Sequence, residues 1–166
     1  MKLYERTLTI RVSRMKDAQA LMDIDELVWT ERTAPEPLRW TSREEFLRHC
    51  PPESQLVADA DGTVCGYVGF RDPTGLAAHA HVCEINIAVH PAYQREGIGT
   101  RLIGEAKVWA AGQGKLKLRL RVLSTNAGAI RFYRKCGFVE EGRLHREYRV
   151  GGGYADEIWM AYFLDV

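Results

Sequence analysis

The chain has 166 residues, 46% hydrophobic and 27% charged, which is enough to close one core and too little for two full domains. Lysine and arginine total 23 against 22 aspartate and glutamate, a net charge of +1. No long-range field therefore draws the protein to nucleic acid or to an anionic membrane.

Lys2, Glu5, Arg6, Arg11, Arg14 and Asp17 interrupt any apolar stretch that a signal peptide would need. Residues 8–12 alternate as a first strand. Residues 13–29 have helical spacing, with Met15, Ala18, Leu21, Met22, Leu27 and Val28 toward one side. Residues 33–37 are a proline-broken connector, and Thr41-Ser42-Arg43-Glu44-Glu45 is a capped start to a short helix that ends before Pro51-Pro52. Residues 55–60 and 64–70 flank Asp61-Gly62, which predicts a tight hairpin. Residues 81–90 form a further strand.

A helix is predicted over residues 97–111, through Ile98, Leu102, Ala106 and Trp109, with Gly112-Gln113-Gly114 closing it. The strand at 115–123 alternates strictly, Leu116, Leu118, Leu120 and Val122 against Lys117, Arg119 and Arg121. A helix follows over 126–136, stopped by Gly137. Residues 138–149 and 154–164 make a last hairpin around Gly151-Gly152-Gly153. The order β-α-α-β-β-β-α-β-α-β-β has no repeat or linker. It predicts a single α/β domain over residues 1–166, with a mixed, mostly antiparallel sheet flanked by helices. The longest apolar run, Ile158 to Leu164, falls far short of the roughly 20 residues of a membrane span. Cys50, Cys65, Cys83 and Cys136 show no Cys-x-x-Cys pairing, so neither a disulfide framework nor a zinc site is indicated. A soluble protein in a reducing cytoplasm is expected.

Two segments carry chemistry. From Ile85 to Gly104 a strand passes through a short loop into a helix whose first turn holds Gly97 and Gly99. Free backbone N–H groups and the positive end of the helix dipole suit a pyrophosphate there, and glycine lets it approach the main chain. The spacing is neither Gly-x-Gly-x-x-Gly nor a P-loop, and a βα turn that binds nothing has the same appearance. In Asn126-Ala-Gly-Ala-Ile-Arg-Phe-Tyr-Arg-Lys-Cys-Gly-Phe138, Asn126, Ile130 and Tyr133 stand at i, i+4 and i+7. Asn126 and Tyr133 can therefore address one ligand, or serve as a cap and a packing ring.

Gln94-Arg-Glu-Gly97-Ile-Gly99 resembles the Gln/Arg-x-x-Gly-x-Gly/Ala motif of the GCN5-related N-acetyltransferase superfamily, and the second segment resembles its Asn and Ala-x-x-Tyr-x-x-x-Gly-Phe block. The resemblance covers most of the chain, and it implies an acetyl-CoA-dependent N-acetyltransferase. Ile87, Ala88 and Val89 would pair through their backbone with the pantetheine arm, a strand-addition mode. Gln94, Arg95, Glu96, Gly97, Ile98, Gly99 and Thr100 would cradle the pyrophosphate, with the Glu96 side chain turned to solvent. Asn126 would touch the CoA arm and Tyr133 its sulfur. Direct attack by an amine needs a base, an oxyanion donor and an acid. Glu84, similar in spacing to a glutamate of phosphinothricin-type acetyltransferases, is the expected base, its pKa raised by burial, and Tyr133 the expected acid. The N–H of Val89 is the expected oxyanion donor.

Ribosomal-protein N-terminal acetyltransferases of the superfamily carry a Glu five residues before the motif Asn, where this chain has Arg121. That departure favours a small-molecule amine or amino acid over a peptide. The cationic face of Lys117, Arg119 and Arg121 is either solvated or suited to an acceptor carboxylate. A protein N-terminal or lysine acetyltransferase and a noncatalytic acetyl-CoA sensor are the alternatives. His79 and His81 lack a third metal ligand, and Cys83 reads as packing. Asp156, Glu157 and His145, or Trp29, Trp40 and Tyr93, could line an acceptor pocket. The apolar last strand could extend a sheet between two subunits of a homodimer.

Overall fold

The computed structural model describes residues 7–165. Its elements are β1 (Leu8–Val12), α1 (Ala18–Val28), α2 (Arg43–His49), β2 (Gln55–Ala60), β3 (Thr63–Arg71), β4 (Val82–Val89), α3 (Ile98–Gly112), β5 (Lys117–Leu123), α4 (Ala127–Lys135), β6 (Val139–Val150) and β7 (Gly153–Phe163). Both the order and the α/β class agree with the periodicities. The strands lie in the order β1-β2-β3-β4-β5-β7-β6. β4 and β5 pair in parallel, while β1–β2, β2–β3, β5–β7 and β6–β7 pair antiparallel.

The residues group into two units. The first comprises the chain up to Val28, Leu38–Phe70 and Asn86–Ala106; the second comprises Trp29–Pro37, Arg71–Ile85 and the chain from Lys107 onward. In the first, β2 is almost wholly buried and the β2–β3 turn takes positive φ at Asp61 (52°) and Gly62 (91°), the backbone that a two-residue hairpin demands. The predicted first helix begins late. The Asp17 carboxylate accepts from the Arg14 N–H (2.7 Å) and from both terminal nitrogens of Arg11 (2.8 and 2.9 Å), which winds Met15–Asp17 into a 3-10 turn ahead of α1. The buried face of α1 is Ala18, Leu21, Ile24 and Asp25. Met15 and Leu27, expected on that face, are exposed. Ser42 caps α2 by accepting from Glu45 N–H (3.0 Å), and the Glu45 carboxylate reaches back to Thr41 N–H (2.7 Å), a variant of the capping box. Gly66 lets β3 lie close to β4 and α3, since a Cβ there would come within 3.0 Å of the Ala88 carbonyl and 3.3 Å of Leu102.

In the second unit, Leu118, Leu120, Phe138, Ile158, Met160 and Ala161 are buried in the core. Leu116, expected to continue the apolar face of β5, precedes the strand and is half exposed. Gly137 ends α4 at φ 92°, and Lys107 Nζ donates to the Cys136 carbonyl (2.6 Å) while sitting 3.9 Å from the Tyr162 ring centre. A cation on the last carbonyls of a helix complements its dipole.

Candidate active site

In the first unit, β4 leads through a 3-10 turn (Pro91–Tyr93) to α3. His90 N–H donates to the Cys65 carbonyl (2.8 Å), and His90 Nδ1 accepts from Ala92 N–H (3.0 Å). Gln94 Nε2 donates to the Val89 carbonyl (3.2 Å), which folds the loop back against the end of β4. Arg95 (φ 65°) and Gly97 (φ 80°) are both left-handed, and such left-handed residues interleaved in a turn are the backbone from which anion nests are built. Arg101 N–H donates to the Gly97 carbonyl (3.2 Å), so the helix begins at once. The amides of its first turn have no partner inside it. Ile98 is buried and anchors that turn, whereas Gln94, Arg95, Gly97 and Thr100 are exposed and Glu96 is half-buried. Ile87–Val89 and Gln94–Thr100 are thus adjacent parts of one continuous strand, loop and helix start.

In the second unit, Asn126 is the N-cap of α4: its side-chain oxygen accepts from Ala129 N–H (3.3 Å) and its carbonyl from Ile130 N–H (3.1 Å). Tyr133 lies two turns along the same helix, buried, with its ring 5.3 Å from that of Phe132 and edge-on to Phe138 at 5.9 Å. Burial pushes its phenol well above the ordinary tyrosine range. The group therefore stays protonated across the whole neutral range.

Glu84 is buried at 7% exposure. Its carboxylate pairs with Arg119 Nε (3.1 Å), with Arg121 Nη2 (3.3 Å) and with Arg71. Parallel register sets Glu84 opposite Arg119. Both guanidiniums of β5 lie over Trp159 of β7, 4.6 and 5.3 Å from its ring centre. The cationic face read from β5 is therefore matched by carboxylates of the chain itself: Lys117 meets Glu141 (3.0 Å), and Arg121 also approaches buried Glu157 (3.8 Å). Glu157 accepts from the Tyr148 hydroxyl (3.1 Å). Asp156 instead pairs with Arg143 (2.8 Å) and His145 (3.3 Å). Cys83 is buried, and its thiol is pushed up by that burial, the opposite of what a nucleophilic cysteine needs. Among the described residues no group of three or more His, Cys, Asp or Glu side chains is placed to hold a metal.

Two features escaped the sequence reading. Arg71 stands thirteen positions from Glu84, a distance over which no local pattern operates. Asn86 is the one exposed residue of β4; an amide amid apolar neighbours is its only signal.

A strand that feeds a left-handed turn and an amide-rich helix start suits a diphosphate-bearing ligand, and the order of elements around it is that of the acyl-CoA N-acyltransferases. The chain belongs to the acetyltransferase (GNAT) family, whose model matches residues 21–138. It is 26% identical over 167 residues to the L-methionine sulfoximine/L-methionine sulfone acetyltransferase of Salmonella typhimurium, across 95% of each chain. It is 33% identical over 150 residues to an N-alpha-acetyltransferase of Sulfurisphaera tokodaii, across 83% of this chain and 87% of that one. Its fold resembles that of yncA from Salmonella typhimurium, solved with acetyl-CoA, with a TM-score of 0.83 at 24% identity, over 96% of this chain and 95% of that one. The fold and the enzyme class that the two motifs implied both hold.

Proposed function

We propose that the protein transfers acetyl from acetyl-CoA directly to the primary amine of a small molecule, an amino acid in particular. The observation that carries this reading is the left-handed turn at Arg95 and Gly97 at the start of α3, in a chain similar over nearly its whole length to an amino-acid-analogue acetyltransferase. The backbone of Ile87, Ala88 and Val89 takes the pantetheine arm, and the amides of Gln94 to Thr100 take the diphosphate. Asn126 contributes to the CoA arm through whatever its capping role leaves free.

An amine with a pKa near 10.4 arrives charged and must lose a proton before it attacks the thioester carbonyl. Glu84 is the proposed base. Its oxygens accept from three guanidiniums, one on Oε1 and two on Oε2, which leaves a lone pair of Oε1 for the proton; Arg71, 62% exposed, is the freest of the three. A withdrawn Arg71 is available to an acceptor carboxylate, as a bidentate partner. The Val89 N–H stabilises the oxyanion, and Tyr133 donates to the departing thiolate. Its raised pKa favours a strong hydrogen bond over complete transfer, because a CoA-like thiol has a pKa near 8.5. Four free thiols suit a reducing, cytoplasmic setting.

The test is a thiol-release assay with L-methionine sulfone, other amino acids, polyamines and a peptide with a free N-terminus. Amino acids are expected to release CoA well above hydrolysis. Release with none of the acceptors overturns the reading, and release with the peptide alone establishes the N-alpha-acetyltransferase alternative that the Sulfurisphaera similarity supports. Glu84→Gln is expected to lower kcat by about 10² to 10⁴; an unchanged kcat assigns the base elsewhere.

A further inference from the structure

The first unit contains a polar chain that none of these steps uses. The Asp25 carboxylate, 2% exposed, accepts from Trp40 Nε1 (2.8 Å) and from the hydroxyl of buried Tyr67. A carboxylate offers only acceptors, so Tyr67 commits its single proton to Asp25 and its oxygen can only accept from Asn86. That polarity settles the Asn86 amide: Nδ2 faces Tyr67 (3.4 Å) and Oδ1 faces away. Gly69 of β3 makes room for it, since a Cβ at this position would collide with Asn86 Oδ1. Asn86 is therefore held at the Nδ2 end of its amide, yet it is exposed while every other residue of β4 is buried or half-buried. An amide oriented by a buried carboxylate and opened to solvent from a central strand is a poor investment for stability alone.

Resting on the transferase reading above, we propose that Asn86 recognises the acceptor: its Oδ1 accepts a hydrogen bond from the ammonium or amine N–H of a small primary amine. It directly precedes Ile87–Val89, the segment assigned to the pantetheine arm, so an amine held there is beside the acyl carrier. The amide oxygen is neutral and accepts an N–H from the ammonium and, more weakly, from the free amine, and it is far too weak a base to take that proton itself. Asn86 thus orients the nucleophile. Tyr67 and Asp25 are positioning residues that fix which end of the amide is presented.

The experiment is steady-state kinetics with the best acceptor of the panel, beginning from L-methionine sulfone. Asn86→Ala is expected to raise the acceptor KM by about tenfold to a hundredfold, with the acetyl-CoA KM unchanged, as for a lost hydrogen bond to a charged group. Gly69→Ala is expected to raise it similarly by displacing the amide. Added to Asn86→Ala it is expected to cost nothing further, because the atom it strikes is gone. An unchanged acceptor KM in Asn86→Ala, or full additivity in the double variant, overturns the inference while leaving the transferase reading intact. A wild-type protein inactive with every acceptor overturns both.

Discussion

Tyr133 and Glu84 show how differently two buried ionisable side chains are set. The phenol sits among aromatic rings, raised by desolvation, so it keeps its proton at neutral pH and suits the proposed role of acid. Tyr133→Phe is therefore expected to lower kcat by about 10² to 10⁴, with little change in acetyl-CoA affinity; an unaltered kcat removes Tyr133 from the mechanism. The carboxylate is ringed by Arg71, Arg119 and Arg121, a setting that burial alone did not suggest. Spacing similar to that of a glutamate in phosphinothricin-type acetyltransferases marked Glu84 as a candidate, but its partners come from another strand and from thirteen residues away. Asn86 was illegible for a related reason. An amide at an alternate position of an apolar strand is ordinary, and nothing local says that the sheet lies uncovered there or that Tyr67 orients it.

Element identity was legible because the periods of two and 3.6 are strong over residues 55–60, 98–112 and 117–123. Element boundaries were not always so, and the start of α1 shows why. Its first turn is governed by Asp17, which serves Arg11 of β1 and the Arg14 amide together, while Arg11 Nε also meets Asp59 of β2 (3.1 Å). That contact spans forty-eight positions and leaves no periodic trace. The Arg11 guanidinium holds Asp17 below the usual carboxylate range. A depressed folded pKa means that the stabilisation is complete above the unfolded pKa near 3.9 and is lost as pH falls through the folded value. Asp17→Asn is expected to lower unfolding free energy by about 2–3 kcal/mol at neutral pH. Its effect should shrink in denaturant titrations as the pH is taken well below that unfolded pKa. A variant equally destabilised at both pH values would show that packing, not charge, is what Asp17 supplies.

At the scale of the molecule, near-neutral charge, an unbroken βα order and two motifs in sequence were enough to place the chain in its family. No helix among the described residues is long and apolar enough to cross a membrane. Acceptor choice is a different kind of property, because the side chains proposed to set it are gathered by strand pairing from distant positions, Asn86 with Tyr67 and Glu84 with three arginines. What every one of the proposed assignments shares is the proposal that a diphosphate sits on the amides that follow Gly97. The most direct measurement is calorimetric titration of acetyl-CoA into the wild-type protein and into Gly97→Val, a β-branched residue forced to φ 80°. Saturable one-site binding by the wild type, weakened at least about tenfold in the variant, is the expected result. Absence of saturable binding, or equal affinity in both proteins, would contradict it.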